Sequence, residues 1–255
     1  MLNGVAVVIT TVERGENYLD DTLASFFVSH PVCADRPISL VVGSPQTNYL
    51  MRYQSHPSVE VIEMGPALWE WIKNNSVRHR ATWNYYRCLT CQGRGKRGSL
   101  ILEDDVNFAL GWCKRLDRTI TALERLYNSG FVLSLYDPWG YGCETSRLYV
   151  EYERENFFGT QGMYFPAETQ DGFARYLKAH GVVANEGHYD HLLRDYALEE
   201  GLLIFASTPS LVQHMGTKTT GLGSWHYAPN FVEDVSVLPL DLDDEGTGSF
   251  VPTAT

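Results

Sequence analysis

The sequence has few cysteines, few basic residues and no long hydrophobic run. Its five cysteines are an odd number without the spacing of a disulfide framework, which indicates reduced thiols. Cys88 and Cys91 lack the second half of a zinc site, so we interpret them as thiols at a helix end. No stretch approaches the roughly 18 consecutive apolar residues that a transmembrane helix needs, and the N-terminus does not resemble a secretory leader. We therefore expect a cytoplasmic protein without a membrane span.

Positive charge is scarce overall but concentrated in one segment. The 20 Lys and Arg residues against 31 Asp and Glu give a net charge of −11, which opposes non-specific binding to nucleic acid or anionic lipid. A basic strip nevertheless contains Arg78, Arg80, Arg87, Arg94, Lys96 and Arg97, interleaved with Trp83, Tyr85 and Tyr86. The acidic balance favours a solvated helix face and loop, and the alternative is a surface for phosphates or an anionic ligand such as DNA.

The hydrophobic content, 44% of 255 residues, is enough for one large core, and we expect a single α/β domain. The β-branched run Val5–Thr11 predicts a strand covered on both faces, and Ile38–Val42 predicts a second. Between them, apolar residues at helical spacing predict an amphipathic helix over 18–27. This βαβ beginning predicts a doubly wound, mostly parallel sheet with flanking helices.

Later segments continue the alternation of strands and helices. Strands are predicted over 59–64, 99–106, 131–135 and 202–205, and helices over 67–89, 109–127, 168–179 and 190–200. The residues from 241 onward lack periodicity, and we interpret them as a loosely draped tail.

Three adjacent carboxylates, Glu103, Asp104 and Asp105, fall at the end of the strand predicted over 99–106. They repel one another unless a cation, hydrogen-bond donors or solvent compensates them. Ligands of open α/β sheets bind beyond the carboxyl ends of the strands, and oxygen ligands suit Mg²⁺ or Mn²⁺. The pattern therefore predicts a metal site that keeps positions open for phosphate oxygens, with a solvated acidic turn as the alternative.

Two further side chains and one segment in the second half are candidates for the same site. His214 follows a strand-like segment, although a lone histidine is more often structural. Asp190 begins an apolar helix whose dipole favours the ionised carboxylate, and a plain helix cap is the alternative. Segment 157–165 has two glycines among aromatic residues, which suits close backbone approach and packing against sugar rings or bases. From these residues alone we interpret the segment as a buried strand with a bulge.

Five motifs follow one another along the chain. They are Ile-Thr-Thr-Val-Glu-Arg-Gly at 9–15, Tyr-Leu-Asp-Asp-Thr-Leu at 18–23, Leu-Glu-Asp-Asp at 102–105, Tyr-Asp-His-Leu-Leu at 189–193 and Pro-Ser-Leu-Val-Gln-His-Met-Gly-Thr at 209–217. In this order they resemble the GT-A glycosyltransferases, and more narrowly the N-acetylglucosaminyltransferase IV group, glycosyltransferase family 54. The resemblance implies a Rossmann-like GT-A domain over 1–225, with a nucleotide-sugar half at 1–107, an acceptor half at 108–225 and a C-terminal extension at 226–255.

The resemblance also implies residue roles in a metal-dependent, inverting sugar transfer from a nucleotide-diphospho-sugar, most simply a UDP-sugar. Asp105, the last carboxylate of a DXD-type motif, and His214 would bind Mn²⁺ or Mg²⁺. Asp190 would be the general base, with Glu186 as the reserve candidate. The residues expected at the donor are Thr10, Thr11, Arg14, Glu103, Asp104, Gly159, Thr160, Gln161 and Lys218. Lys218 lies in a glycine-rich segment that is either a lid over the diphosphate or a surface loop.

The acceptor is expected to be a glycan or a hydroxylated base of viral DNA, and the transferred sugar a hexose or an N-acetylhexosamine. Vertebrate members of the resembled group carry a membrane anchor and stem, and the lack of both favours a bacterial or phage enzyme. Two other functional classes stay open. One is a metal-dependent hydrolase or nuclease that uses the strand-end carboxylates and needs a second metal. The other is a non-catalytic module that binds a sugar or a nucleotide.

Overall fold

The computed structural model describes residues 2–13, 16–29, 37–45, 48–91, 95–141, 147–217 and 226–238. The strands in these ranges are β1 (Val5–Thr11), β2 (Ile38–Val42), β3 (Val59–Ile62), β4 (Gly98–Glu103), β5 (Val106–Phe108), β6 (Phe131–Ser134), β7 (Tyr149–Glu151), β8 (Gly162–Pro166), β9 (Leu203–Ser207) and β10 (Val212–His214). The helices are α1 (Leu19–Ser29), α2 (Met51–Gln54), α3 (Pro66–Ile72), α4 (Val77–Thr90), α5 (Trp112–Tyr127), α6 (Ala167–Leu177) and α7 (Tyr189–Glu200). Short 3₁₀ turns occur at Asn48–Leu50 and Arg154–Asn156, and a π-helical turn, Lys178–Val183, continues α6.

An eight-stranded sheet forms the centre of the molecule, in the order β3-β2-β1-β4-β8-β6-β9-β7. Strands β3, β2, β1 and β4 are parallel neighbours, and β6 pairs in parallel with β9. Strand β8 lies antiparallel between β4 and β6, and β7 is an antiparallel edge strand. The mostly parallel α/β sheet predicted from the sequence is therefore confirmed.

Helices cover both faces of this sheet, which explains why β2 and β4 are almost entirely buried. On one face, Phe26 of α1 packs with Trp112 and Leu116 of α5 in the larger buried cluster. On the other face, the second cluster joins α4, α6 and α7 through residues such as Leu89 and Phe173. Because apolar side chains fill both faces of the sheet, polar side chains meet at the ends of the strands.

The strand predicted over 99–106 is divided into two by a turn at the carboxylates. Strand β4 ends at Glu103, and Val106 begins β5, which leaves the main sheet and pairs antiparallel with β10. In that register Val106 lies opposite His214. The helix predicted over 67–89 is likewise two helices, because Ser76 begins α4 by accepting a hydrogen bond from the backbone N–H of His79.

Three residues of the basic strip bind groups within the fold. The guanidinium of Arg87 donates to the carbonyl oxygens of Val42, Ile62 and Glu63, where β2 and β3 end. Arg80 donates to carbonyls at the end of α3, and Arg97 forms ion pairs with carboxylates of α5. Arg94 lies outside the described residues. Because their charges are used internally, Arg80, Arg87 and Arg97 do not supply the cationic surface that nucleic-acid binding would require.

Arg87 gives a direct test of this structural role. We expect Arg87→Met to lower the free energy of unfolding by about 2–4 kcal/mol, since it leaves several strand-end carbonyls without their charged donor. The matched change Arg78→Met removes an exposed arginine of the same helix and is expected to alter stability by less than about 0.5 kcal/mol. Urea unfolding measures both. Equal stabilities of the two variants would show that Arg87 has no structural role.

Within the described residues, no helix combines the length and the apolar character that crossing a membrane requires.

Candidate functional site

The β5–β10 pair brings Asp105 and His214 together. His214 Nε2 lies 3.3 Å from Asp105 Oδ2, and the backbone N–H of Met215 donates to the Asp105 carbonyl at 2.8 Å. The other ring nitrogen, Nδ1, faces the carbonyl oxygen of His226 at 3.2 Å. A carbonyl at Nδ1 selects the tautomer with the proton there, which leaves the Nε2 lone pair for a metal ion.

These two side chains fit a divalent cation. Two ligands at right angles, each about 2.1 Å from an ion, are about 3 Å apart, close to the separation of Asp105 Oδ2 and His214 Nε2. Gly216 makes room beside them, because a Cβ there would overlap Asp105 Oδ2 and lie 2.9 Å from His214 Nε2. Among the described residues no group of three His, Cys, Asp or Glu side chains is arranged to hold a metal. An ion bound by Asp105 and His214 would keep coordination positions open for substrate or water.

The electrostatics of the pair depend on a third carboxylate. Burial and the neighbouring charge of Asp105 raise the pKa of Glu103. Burial lowers the pKa of His214, but its hydrogen bond to Asp105 and the charges of Asp105 and Glu103 outweigh this, so the pKa is raised overall. The cluster is thus a concentrated negative site that attracts a cation.

Glu103 is held by groups from two other parts of the chain. The hydroxyl of Tyr189 donates to Glu103 Oε1 at 3.0 Å, and the hydroxyl of Thr160 donates to the same oxygen at 3.4 Å. The backbone N–H of Glu103 donates to the carbonyl of Gln161 at 3.0 Å. The predicted donor residues Thr160 and Gln161 therefore lie at the carboxylate cluster.

Gly159 allows the turn that brings Gln161 to this position. Its φ of +84° lies in the region that favours glycine, and a Cβ there would be 2.7 Å from Gln161 Oε1. The side chain of Gln161 is buried, and within the described ranges its Oε1 has no hydrogen-bond partner. A buried acceptor of this kind can accept a hydrogen bond from a hydroxyl group of a bound ligand.

Asp104 points away from Asp105, toward the end of β1. Its Oδ2 accepts a hydrogen bond from Thr11 Oγ1 at 2.5 Å, and Thr11 Oγ1 also lies 2.9 Å from the hydroxyl of Tyr49. Thr22 of α1 holds the turn itself, because its hydroxyl donates to the Asp104 carbonyl and accepts the N–H of Val106. Asp104 and Thr11, two of the predicted donor residues, thus lie in contact with each other.

The other predicted donor residues have different positions. Thr10 Oγ1 accepts a hydrogen bond from the side-chain amide of Asn84 at 2.7 Å, which ties β1 to α4. The Thr10 hydroxyl therefore has a structural role, next in the chain to Thr11. Arg14 and Lys218 lie outside the described residues.

Asp190 lies in the first turn of α7, close to the carboxylate cluster. Its Oδ1 accepts from His188 Nδ1 at 2.6 Å and from the backbone N–H of His191 at 2.8 Å. Burial raises the pKa of Asp190, but these donors and the charges of both histidines outweigh burial and lower it overall. The preceding residue, Tyr189, contacts Glu103, so the beginning of α7 is anchored at the site. Glu186, by contrast, is exposed and pairs with His180 at 2.6 Å.

Three site residues have no role in the sequence-based prediction. Tyr189 binds Glu103, and His226 contacts His214 through its carbonyl and its ring, whose centroids are 5.3 Å apart. The hydroxyl of Tyr136 lies 2.6 Å from His226 Nδ1. Tyr189 is the first residue of the motif at 189–193, so the sequence contained a signal for it. Tyr136 and His226 follow no spacing that points to a site, because their proximity arises only in the fold.

Gly216 provides a test of the pair. We expect Gly216→Ala to remove metal-dependent ligand binding, because the added methyl group overlaps Asp105 Oδ2. The control Gly65→Ala places its Cβ in open space and has an ordinary φ of −62°, so binding should be unchanged. Isothermal titration with Mn²⁺ and a nucleotide measures the difference. Equal affinities of the two variants would contradict the assignment of Asp105 and His214.

Comparisons with known proteins give only remote similarities. No protein-family model and no curated protein matches the chain. Among solved structures, TarS of S. aureus is 13% identical with a TM-score of 0.48, over 79% of this chain and 34% of that protein. The bifunctional glycosyltransferase WbbM is 15% identical with a TM-score of 0.44, over 78% and 38%. The galactosyltransferase LgtC, solved with donor and acceptor sugar analogues, is 9% identical with a TM-score of 0.45, over 80% and 73%.

The chain spans little more than a third of the length of TarS or WbbM. Similarity at this level does not assign the chain to a family, and the narrower resemblance to the N-acetylglucosaminyltransferase IV group stays a prediction.

Proposed function

We propose that this protein is a metal-dependent, inverting GT-A glycosyltransferase that uses a nucleotide-diphospho-sugar, most simply a UDP-sugar. The observation that carries the proposal is the pairing of Asp105 with His214 beside Glu103, at the carboxyl end of the central strand β4. A negative cluster with two cation ligands and open positions suits a diphosphate that arrives with its own oxygens. The motif order in the sequence supports the same class.

Asp105 and His214 would hold Mn²⁺ or Mg²⁺ in this reaction. When bound, the ion supplies charge neutralisation for the departing diphosphate without any proton transfer. The backbone N–H of Met215 binds the Asp105 carbonyl and so fixes the backbone of that ligand. The His226 carbonyl binds Nδ1 of His214 and so orients the imidazole ring. The residues of the chain therefore prepare the leaving-group side before substrate binds.

Glu103, Thr160 and Gln161 are proposed to bind hydroxyl groups of the donor. Tyr189 and Thr160 hold Glu103 in place, and the buried Oε1 of Gln161 is an acceptor within the same wall. Acceptors fixed in this way impose one orientation on a sugar, because each hydroxyl must meet a partner. Asp104 and Thr11 are proposed to contact the nucleotide, at the end of β1.

Asp190 is proposed as the general base. The hydroxyl of the acceptor breaks its O–H bond and passes the proton to the Asp190 carboxylate, while its oxygen bonds to the anomeric carbon from the face opposite the diphosphate. The bond from that carbon to the diphosphate oxygen breaks, which inverts the configuration. His188 and His191 both donate to Oδ1 of Asp190 and so fix the direction in which Oδ2 points.

A thermal-shift screen tests the proposal and its rivals together. UDP-, GDP- and dTDP-sugars are each added with and without Mn²⁺. One nucleotide class should raise the melting temperature of the protein, and only when the metal is present. Nucleotide release and mass spectrometry of candidate oligosaccharides and hydroxymethylated DNA then separate transfer from binding alone. A non-catalytic module gives binding without turnover, and a nuclease cleaves DNA without any sugar donor. Stabilisation by none of the nucleotides would reject the glycosyltransferase.

A further inference from the structure

Trp139 is a large aromatic side chain that is exposed yet firmly held. It is 54% exposed, and its indole N–H donates to the carbonyl of Asn156 at 3.1 Å. Its backbone N–H donates to Oδ1 of Asp137, a fully buried carboxylate that also accepts the N–H of Gly140. These hydrogen bonds hold both the backbone and the indole of Trp139. A ligand that binds the exposed surface of the ring would therefore cost the side chain little further conformational entropy.

A continuous row of rings connects Trp139 to the site. The ring of Phe158 meets Trp139 edge to face, with centroids 5.1 Å apart, and meets His226 at 5.3 Å in the same manner. His226 in turn lies beside His214, with ring centroids 5.3 Å apart. The row therefore begins at the proposed metal ligand and ends at the surface, within the span of a few linked sugar rings.

The charge around Trp139 favours one class of ligand. Two exposed carboxylates lie beside Trp139: Glu153 precedes the 3₁₀ turn at Arg154–Asn156, and Glu155 lies within that turn. The intervening Arg154 donates to the carbonyl of Leu202. Carboxylates accept hydrogen bonds from hydroxyl groups and repel phosphates. A neutral saccharide is therefore compatible with this surface, whereas a phosphodiester chain is not.

We propose that Trp139 and Phe158 form an acceptor subsite on which a pyranose ring of a neutral saccharide packs. The aromatic face supplies apolar contact for the C–H groups of the ring, and the carboxylates of the adjoining turn bind its hydroxyls. As an acceptor subsite it rests on the proposed function, but its saccharide binding can be measured without the donor.

Array binding of the intact protein tests the subsite. The probes are immobilised neutral oligosaccharides, sialylated oligosaccharides and single-stranded DNA that contains hydroxymethylcytosine. We expect at least one neutral oligosaccharide to bind, Trp139→Ala to bind it about tenfold more weakly, and Trp139→Phe to retain part of the affinity. The matched control is Trp71→Ala, since Trp71 of α3 is 59% exposed and follows β3 at the far edge of the sheet.

Each other result overturns the subsite. Binding of no neutral oligosaccharide, equal binding by Trp139→Ala and the wild type, equal loss in Trp71→Ala, or Trp139-dependent binding of DNA alone would each contradict it. The thermal shift with Mn²⁺ and nucleotide-sugars is measured on the same variants and should be unchanged. A lost saccharide response with an intact nucleotide response separates failure of this inference from failure of the proposed function.

Discussion

Asp105→Asn is expected to reduce sugar transfer by at least about 10³-fold and to remove the stabilisation that Mn²⁺ and a nucleotide-sugar give together. An amide has the shape of the carboxylate but lacks the charge that holds a cation opposite His214. Removing the charge relieves its repulsion of Glu103 but also removes the partner that raises the pKa of His214, so the two effects on stability oppose each other. We therefore expect a melting temperature close to that of the wild type, alongside lost activity.

The control for this variant is Asp117→Asn on α5, which removes a partly buried carboxylate paired with Arg97 and leaves the site intact. Transfer and metal dependence should then match the wild type. Nucleotide release measured across a Mn²⁺ titration gives both quantities. An Asp105→Asn protein that keeps the wild-type rate and metal requirement would refute the assignment of Asp105 as a metal ligand.

Asp190→Asn is expected to lower turnover by about 10²–10⁴-fold while nucleotide-sugar binding stays unchanged. The amide cannot accept the proton of the acceptor hydroxyl, whereas the donor side depends on Asp105, His214 and Glu103. The lowered pKa of Asp190 means that its ionised form stabilises the fold at neutral pH, and this contribution is lost as the pH falls through the lowered value. The asparagine variant should accordingly show a weaker loss of stability in acid.

Asp195→Asn is the matched control, because Asp195 lies on the same helix and pairs with its neighbour Arg194. Its turnover should equal that of the wild type. Single-turnover kinetics with saturating donor separate the chemical step from binding. Wild-type turnover in Asp190→Asn would reject Asp190 as the base and direct attention to another group in the first turn of α7.

The first half of the sheet was predictable because its signals are local. Strands β1 and β2 are continuous apolar runs, and α1 between them has helical spacing, so each element is specified by adjacent residues. The insertion of β8 between β4 and β6 was not predictable, because strand order depends on pairing across distant segments. The turn at Asp105 that sends β5 into a second sheet was missed for the same reason.

The site also contains residues that local sequence signals predict and residues that only the fold brings together. Glu103, Asp104 and Asp105 form a recognisable acidic run at a strand end, which makes a cation site predictable from composition and position. The contact of Tyr189 with Glu103 joins residues 86 positions apart, and no spacing rule reaches that far. The exposure of Trp139 is also a property of the fold, since a sequence does not reveal which tryptophan faces solvent.

The two-stranded β5–β10 ladder has a topological consequence. Asp105 and His214 are 109 positions apart in the chain, so a ligand bridging them would act as a reversible crosslink that closes a loop of that length. Such a ligand stabilises the folded state alone, because the unfolded chain would have to close the whole loop before it could bind. Binding at the site would therefore tie the last strand to the first half of the sheet, so that substrate occupancy and resistance to global unfolding rise together.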